Sequence, residues 1–316
     1  MAVVDERSAL TPSASGKSGG SWGFRLSPYL YVLPFFGLFA VFGLFPLLYT
    51  AFVSLHSVDL QTPDVMTGFG VANYGKLLHD PYFWKALVNT MTLGLLACGP
   101  QLVFAVGIAH LLNYQLKGRT VWRVAVLLPY ATSVAAATLV FAQLFGDHGL
   151  VNWLLGAMHL PKVDWQSGTL SSQLAIASIV TWRWTGYNAL IYLAAMQTIS
   201  FDLYEAAALD GASKFRQFTA VTLPGIRPTI IFTIIISTIG ASQLFIEPLL
   251  YQGGSIGVQG GVSRQYQTLT LYMYQQGWSF FHLGYAAAIA FAILLLIIIL
   301  VAINGLVANK RLAGDS

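Results

Sequence analysis

The residues best equipped for chemistry lie in the second half of the chain. Trp182, Arg183, Trp184, Tyr187 and Asn188 fall within one apolar run, and Ser242, Gln243 and Glu247 within the next. Indole and phenol rings present an apolar face with a polar edge, which suits stacking on a sugar ring. Asn, Ser, Thr and Gln supply donors and acceptors for hydroxyl groups. Gly186 would let a ligand approach the backbone. The same polar residues also serve as adhesion between helices in lipid, so pathway and packing both fit Asn188 and Gln243. Trp184, Tyr187 and Asn188 cannot share one helical face, so some of them must pack against other helices. Arg183 and Glu247 are charges inside apolar runs, and each needs a partner or a water-filled cavity. A mutual or intersubunit salt bridge, direct contact with ligand hydroxyls, and a proton relay all satisfy that need.

A second constellation runs from Tyr204 to Ser213, reading Tyr-Glu-Ala-Ala-Ala-Leu-Asp-Gly-Ala-Ser, and on through Thr222-Leu223-Pro224 to Pro228. Phe201–Leu209 is rich in helix formers. Asp202 suits the N-terminal end of the helix dipole, and Gly211 a left-handed C-terminal cap. A second helix is expected over 212–222, with Phe215, Phe218 and Val221 on one face and Lys214, Arg216 and Gln217 off it. Pro224 and Pro228 should end the regular structure. The small residues Ala206–Ala208 would let another surface come close. An amphipathic helix resting on lipid headgroups is the alternative, but it would carry bulkier apolar residues.

These segments must be positioned by elements built for lipid. Of 316 residues, 56% are hydrophobic and 9% charged, whereas a soluble domain carries about 25% charged residues. The chain therefore reads as an all-α integral membrane protein. Its net charge of +4 reflects where lysine and arginine fall and does not call for nucleic acid. The lone Cys98 excludes an internal disulfide and a cysteine metal cluster, and no metal site is expected.

Six stretches have the length of a span, given about 20 apolar residues per helix: 29–55, 86–112, 124–145, 172–198, 229–251 and 285–307. The first is too long for a signal peptide and no small-residue cleavage site follows it. Eleven basic residues fall on one side of these spans, from Arg7 to Arg311, and Lys76, Lys85, Lys162 and Arg264 on the other. The positive-inside rule then places both termini and the insert 199–228 in the cytoplasm of a multi-pass cell-membrane protein. Residues 1–28 form a cytoplasmic tail, expected to be disordered; 29–308 form the membrane domain; 309–316 form a second cytoplasmic tail. The segments near 56–85, 147–171 and 253–284 become external loops with interfacial aromatic residues. Pro46 and Pro129 lie within spans.

Glu205-Ala206-Ala207, Asp210-Gly211, Phe218 and Leu223-Pro224 resemble the EAA loop of permease subunits of binding-protein-dependent ABC importers. Trp182 through Tyr187, Gln197 and Ile199 resemble the carbohydrate branch. Leu249–Gly254, Thr268-Leu269 and Gly284–Ala288 are similar to the subunit type of the maltose permease MalF. The resemblance covers about residues 30–310. It departs at Val221, at Ala195, and at a long Gly253–Gly261 loop without proline, which leaves the shape of that external loop open.

The resemblance implies a type I importer permease fold whose EAA helix couples to an ATPase. Glu205 and Gly211 would carry the coupling, and Ala206 and Ala207 the close packing. It also implies that Trp184 and Tyr187 sit at sugar-contacting positions, and that Ser242-Gln243 matches a polar pair there. The partners implied are a second, MalG-like permease subunit, two cytoplasmic ATPase subunits that hold ATP and magnesium, an extracytoplasmic sugar-binding protein that meets the 253–284 region, and membrane lipid. The cargo would be an oligosaccharide or disaccharide, and the likeness to actinobacterial trehalose importers leans toward trehalose. The chain itself has no G-x-x-x-x-G-K-[ST] loop, so no cofactor and no enzymatic activity are expected in it. An ion-coupled secondary carrier is the competing class, although no internal repeat supports it. A membrane enzyme would need a motif such as H-E-x-x-H or an Asp or Glu pair within the spans, and neither is present.

Overall fold

The computed structural model describes residues 21–114 and 117–313, with side-chain surroundings for 29–114 and 117–307. Residues 1–20 of the expected disordered tail, and 314–316 of the second tail, lie outside the described residues. The chain divides into two units, Met1–Thr50 and Ala51–Ser316.

In the first unit, α1 (Ser21–Phe39) passes through a π turn, Ala40–Leu44, into α2 (Phe45–Ser54), which ends in the second unit. Residues 21–28, read as tail, are therefore helical. The π turn directly precedes Pro46, which lacks an N–H and whose ring collides with the carbonyl four residues back, so the ladder widens there.

The second unit opens with a short hairpin, β1 (Ser57–Val58) against β2 (Met66–Thr67), and is otherwise helical. Its helices are α3 (Ala72–His79), α4 (Pro81–Asn113), α5 (Arg119–Ala131), α6 (Val134–Leu144), α7 (Leu150–Ala157), α8 (Thr169–Met196), α9 (Phe201–Leu209), α10 (Lys214–Gln217), α11 (Leu223–Gly225), α12 (Arg227–Ser242), α13 (Ile246–Gln252), α14 (Gly254–Gln259), α15 (Leu269–Tyr274) and α16 (Leu283–Ala313).

α4 and α8 form the spine. Leu93, Ala97, Ala105 and Ala109 recur on one face of α4 and are fully buried, because small side chains let helices approach where lipid gives no hydrophobic drive. Ile176, Ile179, Ala189 and Tyr192 answer them on α8. Arg183 and Gly186 follow Ile179 by four and seven residues, and so lie on the same buried stripe.

Tyr29–Ser54, Pro81–Asn113 and Leu283–Val307 are long and apolar enough to cross a membrane, and two bent pairs raise the number to five among the described residues. α8 is long enough but more polar. Two expected spans are not continuous. The third breaks by 90° between α5 and α6, at Thr132-Ser133, where the Thr132 hydroxyl takes the Pro129 carbonyl at 2.6 Å and competes with the helix ladder. The fifth ends at Ser242, and its remainder is the separate α13. Pro248 explains the second break, since it has no N–H for the Leu244 carbonyl. The hydroxyl of Thr268 donates to that carbonyl instead, at 2.7 Å.

Thr268 belongs to the 253–284 segment, expected as an external loop. Its middle is not at the surface. Gln265, Tyr266, Gln267, Thr268 and Leu269 have no exposure. Asn89 Nδ2 of α4 donates to the carbonyls of Arg264 at 2.8 Å and Gln267 at 3.1 Å, and Gln173 Nε2 of α8 donates to that of Gln265 at 2.7 Å. Thr90 Oγ1 accepts from the Leu269 amide at 2.9 Å. A nonhelical segment is tolerated inside such a bundle only when its backbone groups are met in this way.

Candidate functional site

A cavity of about 430 Å³ opens beside the break in the fifth span, bounded by α4, α5, the start of α6, α8, α12 and α13. Small-molecule sites run from about 300 to 1,000 Å³. Its wall carries Tyr130, Arg183, Trp184, Gln243 and Glu247, with Gln101 and Ser237 at one side. Arg183 and Glu247 are 7% and 5% exposed, and Arg183 Nη1 approaches Glu247 Oε1 at 3.5 Å. Of the alternatives open from sequence, the mutual pair is the one formed. It is a single long contact, and Arg183 Nε is buried with no hydrogen-bond partner. Glu247 lies in the first turn of α13, where a carboxylate complements the helix dipole.

Trp184 and Tyr187 sit beside a ring that the sequence did not single out. Tyr130 stacks on Tyr187 with centroids 4.7 Å apart and meets Trp184 edge-on at 5.2 Å. Adjacent to Pro129 and on a different helix, Tyr130 had no periodic signal linking it to α8. Asn188 is buried and its Nδ2 reaches Ser237 Oγ at 3.5 Å, a hydroxyl that also accepts from Gln101 at 3.3 Å. That is interhelical adhesion at the cavity edge. Ser242 is buried and donates to Thr238 O at 2.8 Å within its own helix, whereas Gln243 is exposed and lines the cavity.

Trp182 points elsewhere. It is 42% exposed, packs on Phe141 at 5.3 Å, and lines a separate apolar groove with Pro100, Phe104 and Phe145. Two residues along a helix differ by about 200°, so Trp182 and Trp184 face opposite ways. Gly186 also departs from expectation. A Cβ there would lie 1.7 Å from the Val126 carbonyl oxygen, so the glycine admits α5 against α8, at the edge of the groove that Trp182 lines.

The Glu205 insert is built differently. Ser200 caps α9 by accepting from Asp202 N at 3.3 Å. Gly211 ends it at φ +79°, with Ala212 N donating to Ala207 O at 2.9 Å, the left-handed cap that its position demanded. α9 buries no residue. Glu205, Ala206 and Asp210 are exposed, Ala207 is half-buried, and Leu209 is 89% exposed. Phe201, Leu203 and Phe215 are exposed as well.

The second helix differs from the expected one. α10 gives way to a π turn, Phe218–Thr222, just ahead of Pro224, and the chain bends by 66° into α12. Pro224 therefore widens the helix instead of ending it. Leu223 is half-buried and Pro224 exposed. Phe218 turns inward onto His110, 4.4 Å between rings. Gln217, expected off the apolar face, is buried because its Nε2 donates to Ala212 O at 3.1 Å.

At the opposite end, Asp80 caps α4 by accepting from Tyr82 N at 2.9 Å. It also accepts from the hydroxyls of Tyr285, at 2.6 Å, and Tyr272. Burial opposes ionisation of Asp80, but the two hydroxyls and the amides of Tyr82 and Phe83 outweigh it and hold the carboxyl below its usual range.

Residues 13–312 match the family of binding-protein-dependent transport system inner membrane components. The chain is 33% identical over 293 residues to the lactose transport system permease protein LacF of Rhizobium radiobacter, covering 91% of this chain and 96% of that protein. It is 31% identical over 250 residues to the trehalose/maltose transport system permease protein MalF of Thermococcus litoralis, covering 79% and 83%. A bacterial alginate ABC transporter crystallised with its alginate-bound periplasmic protein contains a chain of the same fold, with a TM-score of 0.76, 21% identity, and coverage of 93% and 98%. With this match along nearly its whole length, the chain belongs to the family of binding-protein-dependent transport system inner membrane components.

Proposed function

We propose that this chain is the permease subunit of an ATP-driven sugar importer, and that the cavity beside the Gln243–Phe245 break is its half of the sugar path. The observation that carries this reading is the cavity wall. Tyr130 and Trp184 stand on it, with Tyr187 packed against both rings, and Gln243, Gln101 and the Arg183–Glu247 pair supply polar groups around it. Rings that stack on sugar faces and neutral amides that meet hydroxyls are what a polyhydroxylated, uncharged cargo requires. The permease relatives named for lactose and for trehalose and maltose support a disaccharide or oligosaccharide, with trehalose as the leading candidate.

In this reading the membrane domain has six spans, the third and fifth of them broken, and both termini are cytoplasmic, as is α9. α9 and its capping glycine form the EAA coupling element. Its uncovered apolar and small residues support docking to a cytoplasmic ATPase subunit that holds ATP and magnesium. Glu205, Asp210 and Gly211 stand on that surface. Phe218, packed on His110, ties it back to the core, and Leu223 and Pro224 follow it in the bend toward α12. A second permease subunit completes the path, a second ATPase subunit completes the motor, and an extracytoplasmic binding protein delivers the sugar. The family match weighs against an ion-coupled carrier.

Two measurements on the complex reconstituted in vesicles test the proposal. ATPase stimulation across a panel of sugars presented by the binding protein should single out a neutral disaccharide or oligosaccharide, and no response to any of them would contradict the cargo class. Glu205→Ala should leave the complex assembled and uncouple hydrolysis from uptake. Unchanged uptake by that variant would remove α9 from the coupling role.

A further inference from the structure

Arg183 and Glu247 are the only charged residues on the cavity wall, among the described residues. They come from different helices, α8 and α13, and meet through one contact at 3.5 Å. Arg183 keeps a buried Nε without a partner. The guanidinium is thus neutralised by Glu247 without being saturated by it.

We propose that the Arg183–Glu247 pair selects cargo by charge. Glu247 cancels the guanidinium and puts a carboxylate on the wall, so the cavity admits a neutral saccharide and turns away one bearing a carboxylate or phosphate. A like charge brought against a desolvated carboxylate is strongly unfavourable, and rejection of a wrong partner through such an element is a common source of specificity. Each member of the pair guards against one sign. Without Glu247 the cavity holds an uncompensated cation and favours an anionic sugar. Without Arg183 it holds an uncompensated anion and favours an amino sugar.

This inference rests on the cavity being the sugar path. The test is ligand-observed NMR on the purified permease–ATPase complex without the binding protein, so that selection upstream does not intervene. The probes are trehalose, trehalose oxidised to a carboxylate at one C6, and trehalose carrying an amine at one C6. The native complex should prefer the neutral probe over the carboxylate by about tenfold or more, since each factor of ten needs only about 1.4 kcal/mol. Glu247→Gln should reverse that preference, and Arg183→Gln should shift it toward the amine. The swap R183E/E247R, which keeps the cavity neutral, should restore preference for the neutral probe. If one single variant fails to assemble, the other with its own probe decides the matter. Neutral binding with ratios unmoved by either substitution overturns charge selection and leaves the sugar path standing. No binding of trehalose, maltose or lactose by the native complex overturns the path itself, and charge selection with it.

Discussion

Two segments connect helices in the second unit, and they are built in opposite ways. The stretch Gln265–Leu269 is fully buried and is held by side chains from α4 and α8 that lie far away in sequence. α9, in the other, buries nothing and is held by its own caps and by one bond between the hydroxyls of Tyr204 and Thr222. The first is polar and inside; the second is rich in alanine and leucine and outside. The difference shows that hydropathy ranks these segments in the wrong order for burial. What decides is whether backbone groups find partners: the buried segment has them, and α9 satisfies its own as a helix and leaves most of its side chains exposed.

Matched glycines expose the contrast most sharply. Gly260 and Gly211 share left-handed backbone, at φ +76° and +79°. A Cβ on Gly260 would lie 2.3 Å from Gln267 Cα, whereas one on Gly211 meets open space. Gly260→Ala should cost about 3 kcal/mol or more, through strain and displacement of a buried segment, read as loss of folded protein in thermal unfolding in detergent. Asn89→Ala should come next, at about 2–3 kcal/mol, because it strips donors from the buried carbonyls of Arg264 and Gln267. Gly211→Ala should cost only about 1 kcal/mol, the backbone preference alone. Equal costs for the two glycines would erase the distinction between the segments.

Smaller effects extend the comparison. Asp80 bonds to Tyr272 of α15 and Tyr285 of α16, which flank the π turn closing the buried segment. Its carboxyl is held below the usual range, so it contributes stability above its unfolded pKa of about 4, lost as pH falls through the lower folded value. The unfolding temperature should drop below about pH 4, and Asp80→Asn should flatten that dependence. At the other extreme, Leu209→Ser should leave stability unchanged, within about 0.5 kcal/mol for so exposed a site. It should nonetheless weaken retention of the proposed ATPase subunit in pull-down.

Much of α9 was legible, because caps and helix formers act locally: Asp202 and Gly211 mark its ends by type alone, and the Ser200 cap was a local signal that went unread. Arg183 and Glu247 were legible as a problem of buried charge, and the structure selects the mutual pair from the solutions available. Trp182 could have been separated from Trp184 by helical angle alone. Pro248 was a readable sign of the break that the apolar run concealed. Other features were out of reach. Whether a helix or a ligand approaches Gly186 depends on where α5 lies, and the ring of Tyr130 depends on the same packing. Burial of Gln265–Thr268 depends on Asn89 and Gln173, partners supplied by the fold and not by the neighbouring sequence.

Hydrogen exchange on the purified chain, alone and with the proposed ATPase subunits, tests the contrast most directly. The account predicts that amides of Gln265–Leu269 are protected in both samples. Those of α9 should exchange rapidly in the chain alone and become protected when the subunits bind. Strong protection of α9 without them, or α9 exchange unaltered by their binding, would contradict it.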